Sequence, residues 1–187
     1  MSEDLLYLSE SGDKKSRRSG APRRKAKLDE IMLLLDPQTR EFQRHNELKK
    51  HYVQVFMEFV GFQTTNTLEL ISQLREGVSY SSFKNLSDFT SIPAGELSSF
   101  ISISASTLNR RRKEGKLHPD ETEKVYRLAS LIARATEVLN SREEANHWLQ
   151  TPKKALGGQI PLELADTEVG ADEVRDLLGR IEHGVFA

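Results

Sequence analysis

Between Ser104 and Lys113 the chain sets Ser104, Ser106, Thr107, Asn109, Arg110, Arg111, Arg112 and Lys113 around one large apolar residue, Leu108. These side chains suit nucleic acid. Arginine pairs bidentately with guanine edges, asparagine with adenine, and hydroxyls bond bases or phosphate oxygens. Successive helical residues point about 100° apart, so the four basic residues Arg110, Arg111, Arg112 and Lys113 cannot all enter one groove. About two of the four are expected to reach bases, the others phosphates or solvent. A basic, solvated helix with no ligand is the alternative reading of the run.

Other reactive groups are sparse. Glu182-His183 sets a carboxylate beside an imidazole, the elements of acid-base chemistry, but neighbours on a helix diverge and no nucleophile elbow or metalloprotease spacing accompanies them. The five histidines, at positions 45, 51, 118, 147 and 183, form no i, i+4 ligand pair. With no cysteine, thiolate zinc and thiol catalysis are excluded. Gly157-Gly158 lacks the Lys-Ser/Thr and the preceding strand of a phosphate cradle. We expect neither enzyme activity nor a metal or cofactor.

The polar-basic run needs a scaffold, and the flanking sequence offers one. Pro93 opens a short helix with Leu97, Phe100 and Ile101 facing inward, and 102–104 make a tight connection. Ser104 then caps a second helix from Ala105 to Glu114. Two short helices about three residues apart, the second polar then basic, form the arrangement that places a recognition helix in the major groove. Ser102 holds the turn position where glycine is common; either a left-handed backbone there costs about 1 kcal/mol and weakens the motif, or the turn is of another type.

Around this pair every periodic segment reads as helix. Leu28, Ile31, Met32 and Leu35 share a face that ends at Asp36-Pro37. Phe42, Leu48, Tyr52, Phe56, Phe59 and Val60 make a second face ending at Gly61, which packs either on the chain's own core or on a second copy. Phe83, Leu86 and Phe89 are spaced by three. The acidic first turn after His118-Pro119 leads into a stripe of Val125, Leu128, Leu131, Ile132, Ala135, Val138 and Leu139, the expected spine. Ser141-x-x-Glu144 has capping-box spacing, and Trp148 on the following helix is read as core. Val174, Leu177, Leu178 and Ile181 form the inner face of a last helix closed by Gly184, followed by the apolar tip Val185, Phe186 and Ala187. No segment alternates as a strand does, so the fold is all-α.

At 187 residues and net charge −1, any nucleic-acid surface must be local. Charge is indeed segregated: residues 14–27 hold eight basic and no acidic side chains. Residues 1–27 are too polar to order themselves and are expected to be a disordered basic tail. No run approaches the roughly 18 apolar residues of a membrane span, and no signal pattern opens the chain. A cytoplasmic protein with no membrane partner is expected.

The C-terminal residues resemble the toxin-binding domain of Xre/MbcA/ParS-type antitoxins. Ala155-Leu156-Gly157-Gly158-x-x-Pro161-Leu162 matches the family's turn, and Arg180-Ile181-Glu182-His183-Gly184-Val185-Phe186 matches its ending. Trp148-Leu149-x-x-Pro152 and Asp166-Thr167-Glu168-x-Gly170 fit between, and Ile103-Ser104-x-x-Thr107-Leu108-x-Arg110-Arg111-Arg112 fits the family's Xre-like helix-turn-helix. The resemblance spans residues 68–187. It implies an all-α antitoxin of a two-protein system, with an Xre-like helix-turn-helix bundle followed by a small helical toxin-binding domain. Domains are expected at 1–27 (tail), 28–62 (helical extension), 63–140 (helix-turn-helix) and 141–187 (toxin-binding).

The implied partners are a cognate toxin, of RES type or a related NAD-using kind, and operator double-stranded DNA bound by a homodimer. Toxin contact falls by resemblance to Gly157, Gly158, Pro161, Leu164, Arg180, Ile181, Glu182, His183, Gly184, Val185, Phe186 and Ala187. The alternative is a stand-alone helix-turn-helix regulator that uses the C-terminal domain to dimerise.

Overall fold

The computed structural model describes residues 45–63 and 65–185, with side chains from His51 onward. The basic segment 1–27, the face of Leu28, Ile31, Met32 and Leu35, Phe42, the Leu48 side chain and the final Phe186 and Ala187 lie outside the described residues. Among those described, nine α-helices and one 3₁₀ turn account for the regular structure: α1 (His45–Val60), α2 (Thr67–Glu76), α3 (Tyr80–Thr90), α4 (Ala94–Phe100), α5 (Ala105–Glu114), α6 (Pro119–Leu139), α7 (Arg142–Gln150), the turn Lys154–Leu156, α8 (Pro161–Leu164) and α9 (Glu168–Glu182). The all-α expectation holds.

The apolar stripe of α6 makes it the spine. Val125, Leu128, Leu131, Ile132 and Ala135 are all fully buried. Around α6 pack α1, α2 and α3 from the N-terminal side and α7 and α9 from the C-terminal side, so both halves share one helix. Val138 and Leu139, at its end, are half-buried.

Helix α1 resolves the choice left open for its apolar face. Tyr52, Phe56, Phe59 and Val60 are buried against α3 and α6 of the same chain, in one core with the helices that follow. Phe56 and Phe89 rings stand 4.5 Å apart and tilted, and Arg142 lays its guanidinium 5.0 Å from the Phe89 ring centroid. Asn85 fixes the junction by donating to the Phe59 carbonyl at 2.7 Å.

Caps set the helix boundaries. Asn66 accepts from the backbone of Leu68 and Glu69 to start α2, Ser104 accepts from Thr107 to start α5, and Ser141 accepts from Glu144 to start α7. Gly77, at φ 82°, ends α2 where a Cβ would stand 2.1 Å from the Leu117 carbonyl oxygen, so both conformation and space require glycine.

A helix-turn-helix and a braced C-terminal helix

Helices α4 and α5 meet through a left-handed residue at the expected place. Ser102 has φ 50°, and beyond it the Ile103 N–H bonds back to the Ser98 carbonyl at 2.9 Å. This is a Schellman closure with serine at the position that favours glycine. Ile103 is buried beneath the turn, and Lys124 donates from Nζ to the Ser102 carbonyl at 3.3 Å, tying the turn to α6.

On α5, Leu108 and Arg111 are three residues apart and share the inward face. Arg111 is therefore a correction to the expectation that it stays available to DNA: it is only 4% exposed. Its Nε donates to both Glu121 oxygens, at 2.8 and 2.7 Å, and its Nη1 to Glu114 at 2.6 Å. Glu121 also accepts the His118 N–H at 2.9 Å, closing the start of α6. The Glu121 and Glu114 hydrogen bonds raise the Arg111 pKa, and the Arg111 hydrogen bond lowers that of Glu114.

With Arg111 inside, the outer face of α5 presents Ser106, Asn109, Arg110, Arg112 and Lys113 to solvent. Ser104 is exposed but engaged as the cap, donating to the half-buried Thr107 hydroxyl at 2.9 Å. Gly115, at φ 75°, closes the helix.

The C-terminal part is organised by two glycine-dependent turns. Gly157 and Gly158 have φ of 67° and 81° and stand exposed at the tip of a small loop. Its base is closed by Lys153 N–H to Gln159 O at 3.0 Å and Gly158 N–H to Lys153 O at 2.9 Å. Beside the loop, Lys153 places its ammonium 5.2 Å from the Trp148 ring centroid, and burial lowers its pKa. Trp148 is half-buried, so one part of the ring packs on the core and another stays exposed.

Pro161 is buried at the first turn of α8, Leu164 is half-buried, and the loop of Lys154–Leu156 lies against α9. Val174 and Leu178 on α9 are fully buried, and Ile181 is half-buried.

Two arginines of α6 brace α9 from either end. Arg127 reaches Glu168 at 2.6 Å and the Asp166 carbonyl at 3.0 Å, while Arg134 holds Glu182 at 2.5 Å and Glu137 at 2.9 Å. Burial opposes the Arg134 charge, but the hydrogen bonds it donates to Glu182 and Glu137 outweigh it and raise its pKa. Arg127, then Arg175, lowers the pKa of Glu168.

After α9, Gly184 at φ 66° turns the chain so that Val185 N–H bonds the Arg180 carbonyl at 2.9 Å. His183 and Gly184 are exposed, Arg180 is half-buried, and Val185 is 56% exposed. Arg127 and Arg134 were not singled out from sequence, and Glu121 was read only as a first-turn acid of α6. Their partners lie 10 to 48 residues away in the chain, beyond the reach of any local spacing rule.

Comparison with known proteins agrees with this arrangement. The antitoxin Xre-like helix-turn-helix domain family matches residues 69–130, and the antitoxin Xre/MbcA/ParS C-terminal toxin-binding domain family matches residues 134–184. Among curated relatives, Antitoxin Xre of Yersinia enterocolitica is 33% identical over 130 residues, covering 68% of this chain and 88% of the relative. Antitoxin Xre of Photorhabdus laumondii is 29% identical over the same shares. The Prs ADP-ribosylating antitoxin of a Sphingobium strain is 25% identical, covering 64% and 82%. Among the described residues no helix is long and apolar enough to cross a membrane. The chain, with its helix-turn-helix followed by a toxin-binding domain, belongs to the Xre antitoxin family.

Proposed function

We propose that this chain silences a NAD-consuming toxin, of RES type or a close relative, by steric occlusion. The surface that does so comprises the Gly157-Gly158 loop, Leu164 and the end of α9 from Arg180 through the Val185, Phe186 and Ala187 tip. Pro161 serves by shaping α8 from beneath. The observation that carries the reading is the bracing of α9. Salt bridges to α6 fix the helix at both ends, and a glycine closure then delivers an apolar residue outward to solvent. A rigid element with an exposed apolar end loses little entropy on binding. The name of the Sphingobium relative also points to ADP-ribosyl transfer, the chemistry of a NAD-using partner.

The same protein represses its own operon by laying α5 in the major groove of operator DNA. Asn109, Arg110, Arg112 and Lys113 face the duplex, with Ser104, Ser106 and Thr107 at the helix start. A homodimer would present two such helices to a palindromic site. The test is co-expression of the adjacent toxin-sized reading frame with wild-type chain or with a chain ending before Ala155. Growth is expected with the first and arrest with the second; growth with both contradicts the reading.

A further inference from the structure

The burial of Leu108 and Arg111 fixes the rotation of α5 about its own axis. At about 100° per residue, the direction midway between these two side chains points into the body, held there by the Arg111 hydrogen bonds to Glu121 and Glu114. Ser106, Asn109, Arg110 and Lys113, at i, i+3, i+4 and i+7, share the opposite face, and all four are exposed. Arg112 stands only roughly 70° from the inward direction, so it lies on a flank of the helix although it too is exposed.

The residues of the outer face are not equivalent. The Ser106 hydroxyl lies 2.9 Å from that of Ser104, which accepts the Thr107 N–H at 3.2 Å and donates to the Thr107 hydroxyl at 2.9 Å. The hydroxyls are thus committed to the cap. Lys113 sits in the last turn of α5, whereas a recognition helix meets base edges with its N-terminal part. Asn109 and Arg110 remain, in the middle turn. Each carries a pair of polar atoms that matches one base, the amide adenine N6 and N7, the guanidinium guanine O6 and N7.

Their Cα atoms are about 3.8 Å apart, close to the roughly 3.4 Å step between base pairs. Two side chains so placed reach base pairs that are neighbours or one step further apart. Arg112, on the flank, is turned toward the wall of the groove, where the phosphates lie.

We propose that Asn109 and Arg110 set the operator sequence. Each half-site carries an A·T pair read by Asn109 within about two steps of a G·C pair read by Arg110, while Arg112 grips phosphate and reads no base. This rests on the reading that α5 enters the major groove of operator DNA, and it names the sequence class that the groove must present.

The test lets the full-length chain select from random-sequence duplexes, as wild type and as Asn109→Ala, Arg110→Ala and Arg112→Ala. Alanine at these exposed positions favours the helix, so each variant keeps its fold. Fluorescence anisotropy follows on the selected duplex, on copies with single base-pair changes and on a scrambled duplex. Wild type should enrich closely spaced A·T and G·C pairs and bind about tenfold or more weakly when either is exchanged. Arg110→Ala should lose the preference at the G·C pair and keep it at the A·T pair, and Asn109→Ala should do the converse. Arg112→Ala should weaken selected and scrambled duplexes by the same factor. Removing Arg110 also removes a cation, so sequence preference rather than affinity separates the two arginines. Wild-type preference at every pair in Arg110→Ala, or preference lost at one pair in Arg112→Ala, overturns the inference and leaves groove insertion standing. A wild-type chain that enriches no sequence overturns both.

Discussion

Arg111 and Glu121 lock the recognition helix to the spine, the guanidinium Nε meeting both carboxylate oxygens at 2.8 and 2.7 Å in a nearly solvent-free setting. The pair sets the angle at which α5 leaves the body. Removing one member strands the other's charge inside, which costs far more than the pair contributes. Arg111→Ala should therefore lower the melting temperature by several degrees, and its loss of operator binding should follow that unfolding.

Arg110 and Arg112 are expected to behave oppositely. Each is exposed on the outer face of α5, so alanine at either should leave thermal unfolding almost unchanged. Each replacement should weaken operator binding and reduce the slope of log affinity against log salt by about one for each phosphate left without its cation. Fluorescence anisotropy at several salt concentrations, alongside melting curves, separates the two classes of arginine.

The turn of the helix-turn-helix gives a stability prediction. Ser102 at φ 50° bears the left-handed cost of about 1–2 kcal/mol, and glycine would relieve it while adding about 0.5–1 kcal/mol of unfolded-state entropy to be lost. Ser102→Gly should stabilise the chain by about 0.5–1 kcal/mol, measured by urea unfolding. Destabilisation would show that the serine is held by more than its turn geometry.

Gly170→Ala should do the reverse. The added methyl meets the Leu164 carbonyl at 2.0 Å and the Thr167 hydroxyl at 3.0 Å, so α8 and α9 must separate. A drop of about 1–3 kcal/mol is expected, read by the same unfolding experiment.

Acid should loosen both halves of the protein. Arginine partners lower the pKa of Glu114 and Glu168 in the folded state, so each contributes stability above its unfolded pKa of about 4.3. That contribution is lost as pH falls through the lowered folded value. Unfolding free energy should decline below about pH 4.5, and Glu168→Gln should flatten the decline. An unaltered acid profile in that variant would show that Arg127 and Arg175 gain nothing from the charge.

What sequence could disclose follows from distance along the chain. The helices and their caps were legible because spacing of Phe83, Leu86 and Phe89, or of Val174, Leu177 and Leu178, is a local pattern, whereas the left-handed conformation of Ser102 was one of two turn types the sequence allowed. The same rules failed at Arg111. Four consecutive basic residues look alike in sequence, and only the placement of Glu121 across the turn selects which of them faces inward. Arg134 and Glu182 were hidden likewise, because 48 residues separate partners that the packing of α6 on α9 brings together. The choice between a self-packed and a dimerising α1 also needed the third dimension.

On the proposed function, the end of α9 and the residues after it block a toxin's access to NAD. The most direct measurement is the rate of NAD consumption by the purified adjacent-frame toxin, titrated with wild-type chain and with a chain lacking residues 185–187. Stoichiometric inhibition is expected from the first, and an inhibition constant raised by at least about tenfold, equivalent to about 1.4 kcal/mol, from the second. Equal inhibition by the two would contradict it.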